Sequence, residues 1–258
     1  ADRGKAFGLE GIGDNLGACL GPLLALVLLG WWAVPIRLIF PLAFLPAALA
    51  FLMVLLVREP RAAAAPAAPA TRLAWRGLPR GYWRYLGATA LFSLGNSSNA
   101  FLILRTQEVG ASLTATMLIY AGYNLVAALA SYPAGALSDR LGRKGLLGGA
   151  LVVFFGTYLG FALAGGIGVL GALFVAYGLF QGTYRAVGKA LASDFLPPAL
   201  RGGGLGLYST VAGLLQLVAS LIAGVMWDRL GHASVFMLGA GCAALGAAAL
   251  AVGVRGKE

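Results

Sequence analysis

The sequence predicts an all-α protein of membrane-spanning helices. Three observations carry that prediction. Of 258 residues, 60% are hydrophobic and only 11% are charged, whereas a soluble domain carries about 25% charged residues. Mean hydropathy is +0.85. Several apolar runs exceed the roughly 18 residues a helix needs to cross a bilayer. In lipid the backbone must satisfy its own hydrogen bonds, so such runs are helices.

Eight spanning helices are expected, with ends set to within a few residues. The first, 6–30, contains "GIGDNLGACLGP". Its Gly13, Gly17 and Gly21 recur every four residues and share a face, and small residues at that spacing let backbones meet in lipid. Pro22 removes one helix hydrogen bond. Glu10 and Asp14 also lie four apart and share a face. The second helix, 34–57, is almost wholly apolar. Residues 58–81, "REPRAAAAPAAPATRLAWRGLPRG", read as a solvated linker rich in Ala, Pro and Arg.

Six helices follow the linker. The third, 83–104, carries "GNSSNAFLILR", which puts Asn96, Ser97, Ser98 and Asn99 in its outer half as a polar patch. The fourth, 112–137, bears Tyr120, Tyr123 and Asn124. It also offers Ala121, Gly122, Ala127, Ala130 and Ala134 as a small-residue surface for the first helix. A short turn, "YPAGALSDRLGRKG", leads to the fifth at 145–164. The sixth, 167–191, holds Gln181, Thr183 and Tyr184, with Arg185 and Lys189 four apart in its inner half. The seventh and eighth cover 203–227 and 233–254.

Charge orients the bundle. Of the nineteen Lys and Arg residues, only Arg37, Arg105 and Arg229 fall on the side opposite the linker. The positive-inside rule therefore places the linker and both ends of the chain in the cytoplasm. The formal net charge of +10 is explained by that rule and not by nucleic-acid binding. Cys19 and Cys242 lie in apolar segments, and His232 is the one histidine. No metal-ligand spacing, disulfide framework or cofactor motif is present. A membrane-embedded enzyme would need a His or Cys cluster, a nucleophile with its base, or paired acids facing one site; the single histidine and the lack of metal spacing and of a catalytic triad argue against one. The missing phosphate-binding loop argues against a primary pump.

The turn after the fourth helix fits G-x-L-x-D-R-x-G-R-K, through Gly135, Leu137, Asp139, Arg140, Gly142, Arg143 and Lys144. Its basic residues suit lipid headgroups. Asp139 gains nothing there, but it can accept hydrogen bonds from a helix N-terminus. The pattern closely resembles the signature cytoplasmic loop of the major facilitator superfamily. "GIGDNLGACLGP" is similar to that superfamily's fifth-helix motif, commonest in exporters and antiporters. "RGKAFGL" at 3–9 and "RGGGLGL" at 201–207 share R-G-x-x-x-G-L, each opening a helix from the inner side. The first helix thus corresponds to the seventh.

The resemblance implies a major facilitator fold of two pseudo-symmetric six-helix bundles. Residues 1–57 would be the last two helices of the first bundle and 82–258 the complete second bundle. Roughly 120 further residues are then expected upstream. A truncated, non-transporting fragment is the competing expectation from another class. The family likeness also places the gate contact of Asp139 at the helix opening at Arg3 and Gly4. It brings the first and sixth helices together, so Glu10 or Asp14 is expected to pair with Arg185; Lys189 is a further candidate for this ion-pair set, its alternative being to reach for the headgroups.

Asn96, Ser97, Asn99, Tyr120, Tyr123, Asn124, Gln181, Thr183 and Tyr184 are expected to line a central cavity for an organic solute. Related transporters carry carboxylates at the places of Asn99 and Tyr184. Both are neutral here, which leaves Asp14 and Glu10 as the deep carboxylates for proton coupling. The overall expectation is a secondary transporter of the cell inner membrane, monomeric, exporting small organic molecules in exchange for protons. Uptake or facilitated diffusion of a metabolite is the runner-up.

Overall fold

The computed structural model describes residues 2–56 and 77–253. Most of the expected linker, and the basic residues Arg255 and Lys257, lie outside the described residues. The helices are α1 Arg3–Gly30, α2 Ile36–Leu42, α3 Phe44–Leu56, α4 Arg80–Ser93, α5 Ala100–Glu108, α6 Leu113–Leu141, α7 Arg143–Leu163, α8 Ile167–Asp194, α9 Arg201–Leu230 and α10 His232–Gly253. A single 3-10 turn at Pro198–Leu200 precedes α9. The chain is an all-α multi-pass membrane protein, and among the described residues seven spans are long and apolar enough to cross a bilayer.

Two expected spans differ from the prediction. The second is interrupted at Ala43, with Pro41 inside α2, yet Ile36–Leu56 still counts as one span. The third is not one helix. It ends at Ser93 and restarts at Ala100, so the polar patch lies in irregular backbone. Gly95 lets this segment press directly on α10, where a Cβ would meet Gly239 Cα at 2.9 Å. The amide of Ser98, freed from the helix, donates to Ser220 Oγ on α9 at 3.0 Å. Non-helical backbone at membrane depth survives only where protein or a water-filled cavity surrounds it.

α4, α7, α8 and α10 enclose the core. Phe92, Phe154, Tyr158, Phe161, Phe180 and Phe236 are almost fully buried there. Their rings meet edge-on or stacked, with Phe92 4.9 Å and Tyr158 3.9 Å from Phe154. Small residues set the closest helix approaches. Gly178 and Gly182 of α8 lie against the Tyr123 and Ala127 carbonyls of α6, leaving no room for a side chain. In contrast, no residue of α2 or α3 is buried. α3 is apolar all round and α2 is apolar apart from Arg37 near its start, a surface that an apolar environment accommodates.

α1 packs lengthwise on α6, through a face other than the one expected. Gly4, Gly8, Gly11, Asn15 and Cys19 are its buried residues. Gly8 sits on the Ser131 carbonyl and Gly11 on the Ser131 hydroxyl. Gly13, Gly17 and Gly21 have no described atom within 4 Å of where a Cβ would stand. The two glycine series are offset by about half a helical turn, so both cannot face one neighbour. α6 meets α1 through Ser131, Gly135 and Ser138, while Ala127 and Ala130 face α8 and Gly122 faces neither.

At the end opposite the basic loop, Arg105 ties three helices together. It is 8% exposed. It donates to the Phe161 carbonyl at 3.3 Å and the Ala164 carbonyl at 2.5 Å, closing the last turn of α7. Glu108 binds Arg105 at 3.1 Å and His232, the first residue of α10, at 3.0 Å.

A valine at position 182 is expected to force α6 and α8 apart, lowering Tm of the detergent-solubilised protein by roughly 5 °C. Gly122→Val, on an open stretch of α6, should leave Tm unchanged. Differential scanning fluorimetry of the two variants makes the comparison.

Candidate functional site

The basic loop forms where α6 stops and α7 starts. Gly142 alone separates them, with φ of +96°, a conformation that other residues resist. This tight turn sets Asp139 and Arg143 side by side, 2.6 Å apart. Asp139 Oδ1 accepts from the Gly4 amide and Oδ2 from the Lys5 amide, each at 3.2 Å. Those amides belong to the first turn of α1, where no intrahelical acceptor exists and the helix dipole favours an anion. The approach requires glycine on both sides, because a Cβ at Gly4 or at Gly135 would strike the other residue's carbonyl.

The contacts continue into α8. Arg143 bonds the Ala190 carbonyl at 3.1 Å and pairs with Asp194. Arg3 of α1 also reaches Asp194, at 3.2 Å. The network thus runs from α1 through Asp139, Arg143 and Asp194 back to α1. Lys144 bonds the Ala251 carbonyl on α10 at 2.8 Å, and Arg140 is exposed.

Deeper along the same pair of helices, Lys189 meets Glu10 at 2.5 Å and Arg185 meets Asp14 at 2.6 Å. Because α1 and α8 run antiparallel, Arg3–Asp194, Glu10–Lys189 and Asp14–Arg185 form successive rungs. Of the two alternatives for Lys189, the structure has the ion pair: a carboxylate of α1 lies within its reach.

Beside the two deeper rungs lies a cavity of about 370 Å³. The α4–α5 break contributes Ser93, Asn96 and Asn99. α8 contributes Tyr177, Gln181, Tyr184, Arg185 and Lys189, and α9 contributes Tyr208, Ser209 and Gln216. Asn99 is held between two hydroxyls: its amide nitrogen donates to Tyr123 Oη and its oxygen accepts from Tyr177 Oη, each at 2.7 Å. A wider hollow of about 560 Å³, lined by Ser98, Tyr120 and Ser220, adjoins it. Asn99 and Gln216 border both.

Four expected lining residues stand elsewhere. Tyr123 supports Asn99 from behind. Asn124 is buried and bonds the Tyr120 carbonyl of its own helix at 2.8 Å. Ser97 is buried within the break, and Thr183 borders neither hollow. The helix break encloses Ser97, and Tyr123 packs on Phe174 and Tyr177 of α8. Sequence reading also missed residues: Asp194, which joins Arg3 to Arg143, and Ser209, Gln216 and Ser220 on α9. The signal for the α9 set was a polar stripe on an otherwise apolar span, since amides and hydroxyls in lipid call for partners.

The chain thus carries a polar, half-open hollow among membrane-spanning helices, with the ion pairs between α1 and α8 beside it. The chain belongs to the major facilitator superfamily: the profile described as Major Facilitator Superfamily matches residues 84–258. It is similar to an uncharacterized MFS-type transporter of Methanocaldococcus jannaschii, 33% identical over 87% of this chain and 58% of the archaeal protein. It is also similar to the tetracenomycin C resistance and export protein of Streptomyces glaucescens, 27% identical over 57% of this chain and 27% of that protein. An uncharacterized MFS-type transporter of Mycobacterium tuberculosis is 32% identical over 46% of this chain and 21% of its own length. The chain thus spans little more than half of the archaeal relative.

Cysteines placed at positions 5 and 136, in a background lacking Cys19 and Cys242, are expected to crosslink readily. Asp139→Asn should reduce that yield severalfold, because a neutral amide cannot hold both α1 amides as a carboxylate does. Band shifts on denaturing gels after mild oxidation read the yield.

Proposed function

We propose that the protein is a secondary transporter that moves small organic solutes by alternating access, exporting them in exchange for protons. The observation that carries this reading is a polar cavity whose two cations, Arg185 and Lys189, pair with carboxylates of α1. The amide grip on Asp139 and the rungs between α1 and α8 join elements far apart in the chain. Their separation would open the basic end, which the positive-inside rule places in the cytoplasm. The conformation described here is then the one closed to the cytoplasm.

Asp14 and Glu10 would carry the proton coupling. Protonation removes the charge that holds Arg185 or Lys189, so a proton loosens the clasp. Carboxylates within membrane spans commonly mark such relays. Export of an organic molecule draws support from the likeness to the tetracenomycin C export protein. In this reading the protein works as a monomer in the cell inner membrane, with the lipid bilayer as its other partner and without a cofactor.

In proteoliposomes, an inward-acid gradient is expected to drive a fluorescent organic solute against its concentration, and collapse of the gradient by a protonophore should stop it. Asp14→Asn should leave counterflow exchange intact while removing the response to the gradient. Gradient-driven accumulation that persists in Asp14→Asn would overturn the assignment of Asp14, and transport indifferent to the gradient would overturn proton exchange.

A further inference from the structure

The charges at the cavity are unevenly placed. Arg185 and Lys189 line it, and among the described residues no carboxylate does. Their partners Asp14 and Glu10 sit on α1, outside the lining. All four side chains are accessible: Arg185 and Lys189 are 39% and 31% exposed, Asp14 and Glu10 49% and 47%. None of the four is shut away from an incoming ligand by packing within the described residues.

We propose that the cavity takes an aromatic organic anion carrying a hydroxyl or N–H group, and that its anionic end replaces Asp14 and Glu10 on Arg185 and Lys189. The proposal rests on the transport reading and names its substrate class. Arg185 and Lys189 lie four residues apart on one face of α8, so both can grip a single carboxylate. Arg offers paired donors and Lys a point charge.

The uncharged part of the ligand is read from the cavity's unsatisfied groups. Tyr184 Oη and Asn96 Oδ1 are buried and, among the described residues, have no hydrogen-bond partner, and both residues line the cavity. Such groups are costly unless something completes them. Tyr184, next to Arg185 in sequence, can donate to an oxygen of the anionic group. Asn96 Oδ1 can only accept, so it calls for a hydroxyl or N–H at the ligand's other end. Tyr177, Tyr184 and Tyr208 present aromatic walls, and about 370 Å³ suits a small fused-ring molecule.

Recognition and gating are then one competition. In the clasped state the α1 carboxylates occupy the anion's place. A ligand that binds the same cations favours the state in which α1 has moved away, because it binds that state better. The carboxylates of α1 act as a built-in substitute for the substrate.

The test is equilibrium binding to the detergent-solubilised protein of hydroxynaphthoate, uncharged hydroxynaphthamide and cationic hydroxynaphthylmethylamine. The acid is expected to bind about tenfold more tightly than the amide, with the amine weakest. Asp14→Asn combined with Glu10→Gln should tighten the acid severalfold and leave the amide unchanged. Arg185→Gln combined with Lys189→Gln should erase the difference between acid and amide. Equal binding of the three probes, preference for the amine, or binding of none overturns the proposal with no variant needed. So does weaker acid binding when the α1 carboxylates are removed, which is the result for rungs that serve structure alone. Acid binding without movement of any probe into proteoliposomes would sink the transport reading and leave the anion site standing. Transport without preference for the acid would do the reverse.

Discussion

The two-amide grip on Asp139 organises the functional half of the molecule. It depends on backbone contact between Gly4 and Gly135, where neither residue tolerates a side chain. The first turn of α1 is thereby brought to a carboxylate, at 3.2 Å for each amide. This fixes the height of α1 against α6, and with it the register against α8. Only in that register do Glu10 and Asp14 fall opposite Lys189 and Arg185. A shift of one residue would turn both acids by about 100° around the helix and separate every rung.

The two ends of the bundle solve the same physical problem differently. At the basic end, charges pair between α1 and α8, which are distant in sequence, and the deeper rungs stay accessible. At the opposite end, Arg105 is buried and spends its hydrogen bonds on the α7 carbonyls of Phe161 and Ala164. Freeing Arg105 would leave those carbonyls without partners as well as a buried cation, a cost several times larger than that of parting an accessible pair.

The architecture was largely legible in the sequence, because apolar length and basic flanks are local signals that lipid enforces. The loop pattern around Asp139 and the repeat at Arg3 and Arg201 pointed to the family. Three features were hidden. The polar patch of the third span read as one side of a continuous helix, since nothing nearby in sequence reveals that Gly95 lies on Gly239 and Ser98 on Ser220. Of the two glycine series in α1, the more regular one attracted attention, yet Gly4, Gly8 and Gly11 meet α6. Asp194 and Gln216 acquire roles only through neighbours far away in the chain. In each case the missing information is rotational: periodicity shows that residues share a face but not which neighbour that face meets.

The break between α4 and α5 has a consequence for how such a cavity can diversify. Residues on a continuous helix point where its register sends them, and altering that direction means moving the whole span. Asn96 and Asn99 are placed instead by outside supports: Ser220 holds the adjoining backbone, and Tyr123 and Tyr177 hold the Asn99 amide. Ser220 and Tyr123 border no part of the inner cavity. Substitution at either can re-aim the lining while its chemistry stays the same. The shape of the lining can thus change through second neighbours, leaving Arg185 and Lys189 untouched.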